Sequence, residues 1–250
     1  MFGIEDRERL RELLIERARS DPRVVAAAAV GASASTSGGD RWSDLDLTFG
    51  VAAGEAVEAV LADWTRPLIT DFAAVVLFDL PVKSTIYRVF LLPGLLQVDL
   101  SFSPAAEFGA RGPRFQLLFG DAVEHPEAPP PAAEDLFGLA VHHVVRGHFC
   151  IVRGRPWQAE YWIHAARDQT LSLACHRRGL DVHYGRGFDR LPREVRDGLA
   201  GALVRSLTDD ELRRALAVAT AGLLREAVDI PEVVRRVRPM LEDLGHSSPI

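Results

Sequence analysis

Four of the seven residues from His125 to Pro131 are proline ("HPEAPPP"). Proline lacks an amide hydrogen and fixes φ, so neither a helix interior nor a central strand runs through such a stretch. It reads as a stiff, extended connection, and the patterns on its two sides differ. Before it come short apolar or alternating runs; after it the strand patterns stop and apolar residues recur at helical spacing. The expected class is therefore α+β: a small mixed-sheet domain over residues 1–125, a Pro-rich linker over 126–133 and a C-terminal helical bundle over 134–250. At 250 residues, the chain suits one large domain or two small ones.

The coarse elements follow. Residues Ile4–Ser20 carry apolar positions at helical spacing. "RVVAAAAVGA" (23–32) reads as a buried strand stopped by glycine, and "DLDLTFGV" (44–51) alternates as a strand with one face to the core. "GEAVEAVLADWT" (54–65) reads as a helix. Three further strands are expected at 71–80, 84–93 and 94–103, the last two joined by Pro93-Gly94 as an antiparallel hairpin. Beyond the linker, helices are expected at Asp135–Val152, Trp157–Arg178, Arg193–Ser206 and Asp209–Val228, with Thr208 to Glu211 as a capping signal for the last.

Charge narrows the function classes. Residues 1–133 hold 12 basic and 19 acidic side chains, a net of −7; residues 134–250 hold 17 and 16, a net of +1. An acidic first half argues against a nucleic-acid surface, which needs cations to displace phosphate counterions. It suits a metal or a cationic small molecule. No apolar run reaches the ~20 residues that span a bilayer, so no membrane partner is expected. The charged, helix-patterned N-terminus does not read as a signal peptide. Cys150 and Cys175 show no CxxC spacing, which fits reduced core cysteines in a cytoplasmic protein.

The chemistry is concentrated in "VGASASTSGGDRWSDLDLTFGV" (30–51). In a strand, residues i and i+2 share a face, so Asp44 and Asp46 project together while Leu45 and Leu47 face the core. Paired carboxylates repel each other and raise one another's pKa. A hard divalent cation, which prefers oxygen ligands, removes that cost. Asp99, in "LLQVDLSF", is a third strand-borne carboxylate that converges on the pair if the two strands are neighbours. The loop "GASASTSGG" can bring its backbone close to a ligand, and its N–H groups and hydroxyls can hold phosphate oxygens. A phosphate cradle beside a carboxylate-held cation is the equipment of phosphoryl or nucleotidyl transfer.

Gly31-Ala32-Ser33, Ser43-Asp44-Leu45-Asp46 and Asp99 together resemble the DNA polymerase β-type nucleotidyltransferase superfamily. Its pattern is a strand ending in Gly-Ser or Gly-Gly-Ser, about ten residues, Asp-x-Asp on the next strand and a third acid on a later one. Ala32 stands where glycine is commoner, and small residues replace the frequent Arg-Gly that follows. The resemblance covers Val24–Phe102, and with a helical bundle behind it the layout is similar to bacterial antibiotic nucleotidyltransferases acting on aminoglycosides or lincosamides. It implies Mg2+-dependent transfer of a nucleoside monophosphate, AMP from ATP foremost, to a hydroxyl of a small molecule, with pyrophosphate released. Asp44, Asp46 and Asp99 would be the metal ligands and catalytic acids. Gly31, Ser33 and Ser43 would lie at the nucleotide, with Lys83 a further phosphate-neutralising candidate beside Arg88.

On the helix 157–178, Glu160, His164 and Arg167 fall at i, i+4 and i+7 and share one face, with Trp157 and Tyr161 close by. The functional reading gives Arg167 to the triphosphate and Tyr161 and Trp157 to a cationic acceptor, with Glu160 either binding that acceptor or taking the proton of its hydroxyl, a role for which Asp99 is the other candidate. His142, His143 and His148 sit at offsets of one and six, which share no face, so zinc is disfavoured. Two other functions stand beside the leading one: a protein-modifying nucleotidyltransferase of the antitoxin kind, and a non-catalytic nucleotide-binding protein. The sequence leaves the acceptor, the base and the oligomeric state open, a homodimer included.

Overall fold

The computed structural model describes residues 3–34, 40, 42–112, 114–126 and 129–244. They fall into two compact units, Met1–Ala128 and Pro129–Ile250. The class is mixed α+β, with a sheet and two helices in the first unit and helices alone in the second. The expected linker includes residues 127 and 128, and the small-residue loop includes 35–39; both stretches lie outside the described residues.

The first unit runs α1 (Ile4–Ser20), β1 (Val24–Val30), β2 (Leu45–Val51), α2 (Val57–Phe72), β3 (Val75–Val82), β4 (Thr85–Leu92), β5 (Leu96–Pro104) and β6 (Phe115–Phe119). Its six described strands form one sheet in the order β3-β4-β5-β2-β1-β6. The β2–β5 pair is parallel and the other pairs are antiparallel. Leu45, Leu47 and Phe49 of β2 and Val98, Leu100 and Phe102 of β5 are wholly buried, against Leu10 and Leu14 of α1 and Trp64 and Leu68 of α2. Phe49, Trp64 and Phe102 meet as a ring cluster with centroids 4.7 to 5.3 Å apart, an arrangement that adds to the area term of three large side chains. The small side chains of Ala26 and Ala28 leave room for Phe108 on the other face of β1.

Three boundaries depart from the sequence expectation. Helix α2 starts at Val57 and continues through Pro67 to Phe72, past the expected end at Thr65 and into residues read as strand. Pro67 cannot donate to the Asp63 carbonyl, but the Arg17 guanidinium does so at 2.9 Å, which removes one cost of a proline inside a helix. The β4–β5 turn has three residues rather than two, with Gly94 and Leu95 both at positive φ. Strand β6 was not expected; it is five residues long, with no clean alternation in its burial.

The second unit holds α3 (Ala133–Val152), α4 (Pro156–His176), α5 (Arg193–Ala200), α6 (Asp209–Glu226) and α7 (Pro231–Leu244). Helix α5 stops six residues before its expected end. Arg214 of α6 takes the carbonyls of Gly201 and Leu203 at 2.5 and 3.1 Å, so the chain turns there instead of continuing to wind. The expected capping box at α6 does not close: Thr208 Oγ1 pairs with Ser206, and Glu211 accepts from the Arg205 amide and from Arg214. Helix α7 was missed, because Pro231 and Pro239 and its arginines mask a narrow apolar stripe whose buried members are Val234 and Leu241. Cys150 and Cys175 are buried free thiols. Among the described residues, no helix is long and apolar enough to cross a membrane.

Candidate active site

Strands β2 and β5 lie side by side in parallel register, with Asp46 opposite Asp99. Their Cα atoms are therefore about one strand spacing apart, ~4.8 Å, with both side chains on the face away from the core. Asp44 precedes the first residue of β2 and shares that face by the two-residue period. One oxygen from each of Asp44, Asp46 and Asp99 can be chosen so that all lie within 4.8 Å of one another. All three residues are half-buried.

The electrostatics are those of a site short of positive charge. Asp46 is pushed up to about 8, first by burial and then by the neighbouring charges of Asp44 and Asp99. Burial also raises Asp99; Gln97 opposes this by donating from Nε2 to both carboxylate oxygens at 3.1 and 3.2 Å, and the charge of Asp44 adds to the rise. The charge of Arg114 opposes the rise at Asp46.

The chain at the end of β1 is shaped around these acids. Gly31 has φ +59°, and a methyl group there would lie 2.5 Å from Asp46 Oδ2. Only glycine meets both demands. Ser33 is buried two residues on. Its hydroxyl accepts from the Asp46 amide at 3.0 Å and donates to the Asp44 carbonyl at 3.4 Å. That hydroxyl has one proton, and the proton is directed at backbone. Of the two groups by which Ser33 could reach a phosphate, hydroxyl or backbone N–H, the hydroxyl is engaged with backbone here.

Ser43 is similarly engaged. Its hydroxyl bonds to Asp40 Oδ1 and receives the Asp40 amide, both at 3.0 Å. The sequence reading missed Arg7 of α1, a buried arginine whose guanidinium holds the carbonyls of Asp40 and Ser43 at 2.6 and 3.3 Å and so fixes the approach to Asp44. A signal existed: Arg7 falls on the helical stripe of Leu10 and Leu14. Gln97 was missed too, although it sits at i−2 from Asp99 and hence on the same face. Beside Asp44 opens a cavity of about 310 Å3 that Arg7, Trp42, Leu95 and Gln97 help to line. Trp42 and Leu95 are 69% and 81% exposed, which puts apolar surface at its mouth.

Lys83 is not brought to the acids. It occupies the two-residue β3–β4 turn at φ +56°, six residues along β4 from Val89, the residue opposite Asp99. At ~3.3 Å per residue that is about 20 Å. Arg88 is used structurally, in a two-pronged pair with Asp79 at 2.6 Å and a bond to Thr65 at 2.7 Å.

The remaining candidates belong to α4 in the second unit. Trp157 and Tyr161 are exposed and Glu160 is half-buried. The i, i+4 pair on this helix is His164–Asp168 at 3.0 Å, not Glu160–His164. Arg167 donates to Asp168 at 2.8 and 3.0 Å and meets His164 at 3.0 Å. His142 and His143 stack around Trp162, with centroids 5.8 and 5.2 Å away.

No family model matches the chain, and no curated protein matches it. Among solved structures it is similar to an aminoglycoside 6-adenyltransferase from Bacillus subtilis, with 12% identity over 99% of this chain and 100% of that one and a TM-score of 0.43.

Proposed function

We propose that this protein is a divalent-cation-dependent nucleotidyltransferase that moves a nucleoside monophosphate, AMP from ATP, to a hydroxyl of a small cationic acceptor. The observation that carries the proposal is the meeting of Asp44, Asp46 and Asp99 within 4.8 Å on neighbouring parallel strands. The residues fit a hard cation. All three donors are carboxylates, the type magnesium takes, and burial with the charges of Asp44 and Asp99 pushes Asp46 up to about 8, a cost that a bound cation would relieve. Gly31 keeps the chain close to Asp46 without a side chain in the way.

Asp44 and Asp46 would hold the cation, with Asp99 as the third ligand. A bound Mg2+ supplies the positive charge that lets three carboxylates and a triphosphate share one place. The chain does the rest. The turn at Gly31–Ala34 offers backbone to the phosphates, and Ser33 keeps Asp44 and Asp46 in register. Asp99, held in place by Gln97, is the carboxylate that would take the acceptor proton. The acceptor oxygen bonds to the α-phosphorus, the bond from that phosphorus to the bridging oxygen of pyrophosphate breaks, and the hydroxyl proton passes to Asp99. Glu160, Tyr161 and Trp157 remain candidates for acceptor binding and Arg167 for phosphate.

The test is pyrophosphate release with Mg2+, each of the four nucleoside triphosphates and a panel of aminoglycosides, lincosamides and uncharged polyols. Turnover that requires the cation, prefers one nucleotide and disappears in Asp46→Asn is the expected result. Glu160→Gln is expected to raise the acceptor KM. Nucleotide binding without turnover on any acceptor overturns the proposal in favour of a binding protein.

A further inference from the structure

The helical unit contains a second concavity of about 740 Å3, walled by α3, α6 and α7. That lies within the roughly 300–1,000 Å3 typical of small-molecule sites. Its floor is aliphatic, with Leu216 of α6 and Leu241 of α7 both buried. One polar group interrupts this floor. His148 of α3 is 6% exposed, touches the Phe149 ring edge-on and has no hydrogen-bond partner among the described residues. Its ring nitrogens are unpartnered but not sealed off, so they open onto the concavity that the ring borders.

Four arginines and two acids line the site, and Asp209 and Glu211 pair with Arg213 and Arg214 beside it. The arginines are not fully used. Arg213 gives its Nε to Asp209 at 2.8 Å, and Arg238 meets Glu242 at 3.6 Å, whereas a guanidinium has five N–H donors.

We propose that this concavity binds a small carboxylic acid with an apolar body, the body on the Leu216–Leu241 floor and the carboxylate on Arg213 and Arg238, with His148 as its hydrogen-bond donor. Burial and the charge of Arg213 hold His148 below its usual pKa, so it is neutral at pH 7 and keeps one N–H to give. Arginine is suited to a carboxylate because two of its N–H groups match the two oxygens. The site does not depend on the nucleotidyl-transfer reading.

Calorimetry of the full chain with octanoate tests the inference, with octanol and octylammonium as matched bodies and acetate as a head alone. Octanoate is expected to bind saturably at one site per chain. Octanol and octylammonium are expected to bind at least roughly tenfold more weakly, the worth of a charge-assisted hydrogen bond, and acetate not at all. Arg213→Gln should weaken octanoate by a similar factor and leave octanol unchanged; Arg238→Gln serves if that variant does not fold. Ala217→Trp, at an exposed position of α6 that lines the concavity, should abolish binding while the protein unfolds at the wild-type temperature. Octanol binding as tightly as octanoate, or octanoate binding unchanged in Ala217→Trp, overturns the inference. So does a concentration-dependent dimer that Ala217→Trp dissociates, which would make a second copy the occupant.

Discussion

The Ser33 hydroxyl accepts the Asp46 amide hydrogen at 3.0 Å and directs its own proton at the Asp44 carbonyl, 3.4 Å away. One short side chain thus ties the backbone on both sides of Leu45 and sets the two carboxylates at the head of β2. Ser33→Ala removes both tethers and leaves a half-buried amide unpaired. The expected cost is ~1–3 kcal/mol of stability in urea unfolding, with weaker Mn2+ binding by the same protein. A variant as stable as wild type, with undiminished Mn2+ affinity, would show that the tether does not set the site.

Gly31→Ala should cost more. Alanine at φ +59° pays ~1–2 kcal/mol for the left-handed region, and its methyl group would sit 2.5 Å from Asp46 Oδ2. Gly54 is the control, since its φ is +90° but nothing lies within 4 Å of an added Cβ. Both alanine variants are expected to lose stability, and only Gly31→Ala to lose Mn2+ affinity. Equal Mn2+ binding by the two would mean that Gly31 serves the turn alone.

The raised pKa of Asp46 has a definite sign in the metal-free protein. A carboxyl at about 8 when folded and near 3.8 when unfolded binds its proton more tightly in the folded state. Its stabilising contribution is fully present below about pH 4 and is lost as pH rises through about 8. In EDTA, unfolding should therefore occur at progressively lower temperature from pH 5 to 8. Asp46→Asn should flatten that slope and be more stable than wild type at pH 8, and Mg2+ should restore the wild type but not the variant. A wild-type slope that Asp46→Asn leaves unchanged would place the titration elsewhere.

Asp21 acts in the opposite direction. It is held at about 2, chiefly by the Arg23 guanidinium, with Trp64 Nε1 and the Arg23 amide also donating. A depressed carboxyl contributes stability above its unfolded pKa, and that stability is lost as pH falls from about 4 to 2. Asp21→Ala also leaves the indole N–H of the wholly buried Trp64 unpaired. Its expected cost at pH 7 is ~2 kcal/mol or more, shrinking toward pH 2. A cost independent of pH would assign the loss to packing around Trp64 rather than to charge.

What was legible in the sequence is what has a period. The two-residue alternation of "DLDL" placed Asp44 and Asp46 on one face, and the apolar flanks of Asp99 placed it on a strand; the parallel β2–β5 register that puts Asp46 opposite Asp99 has no such local signal. Helix α2 was cut short because Pro67 reads as a breaker, and its rescue comes from Arg17, 46 residues upstream of Asp63. The same holds for the site's supports. Arg7 reaches the 40–43 turn across 33 and 36 residues, and the Ser33 tether spans 11 and 13. Lys83 was a candidate by charge alone, and the hairpin carries it far along β4.

Gln97 offers the sharpest test of how the acids are held. Its Nε2 donates to both oxygens of Asp99, which fixes the plane of that carboxylate and offsets part of the burial penalty. If Asp99 takes the acceptor proton, its oxygen must meet the hydroxyl at hydrogen-bond range, so a freely turning carboxylate is productive only part of the time. Gln97→Leu keeps the side chain's bulk and removes the donor. The expected outcome is kcat lower by about tenfold, the worth of one hydrogen bond to a charged group, with the nucleotide KM unchanged because the phosphates are held elsewhere. Gln97→Glu is expected to be worse, since it also turns a donor into a fourth negative charge against Asp99. A merely structural role for Gln97 predicts a different pattern: lower stability in both variants, with kcat per folded molecule near wild type. Steady-state kinetics on protein whose folded fraction is measured by circular dichroism separates the two. An unchanged kcat in Gln97→Leu would remove Gln97 from the machinery and take with it the argument that Asp99 must be oriented to act as the base.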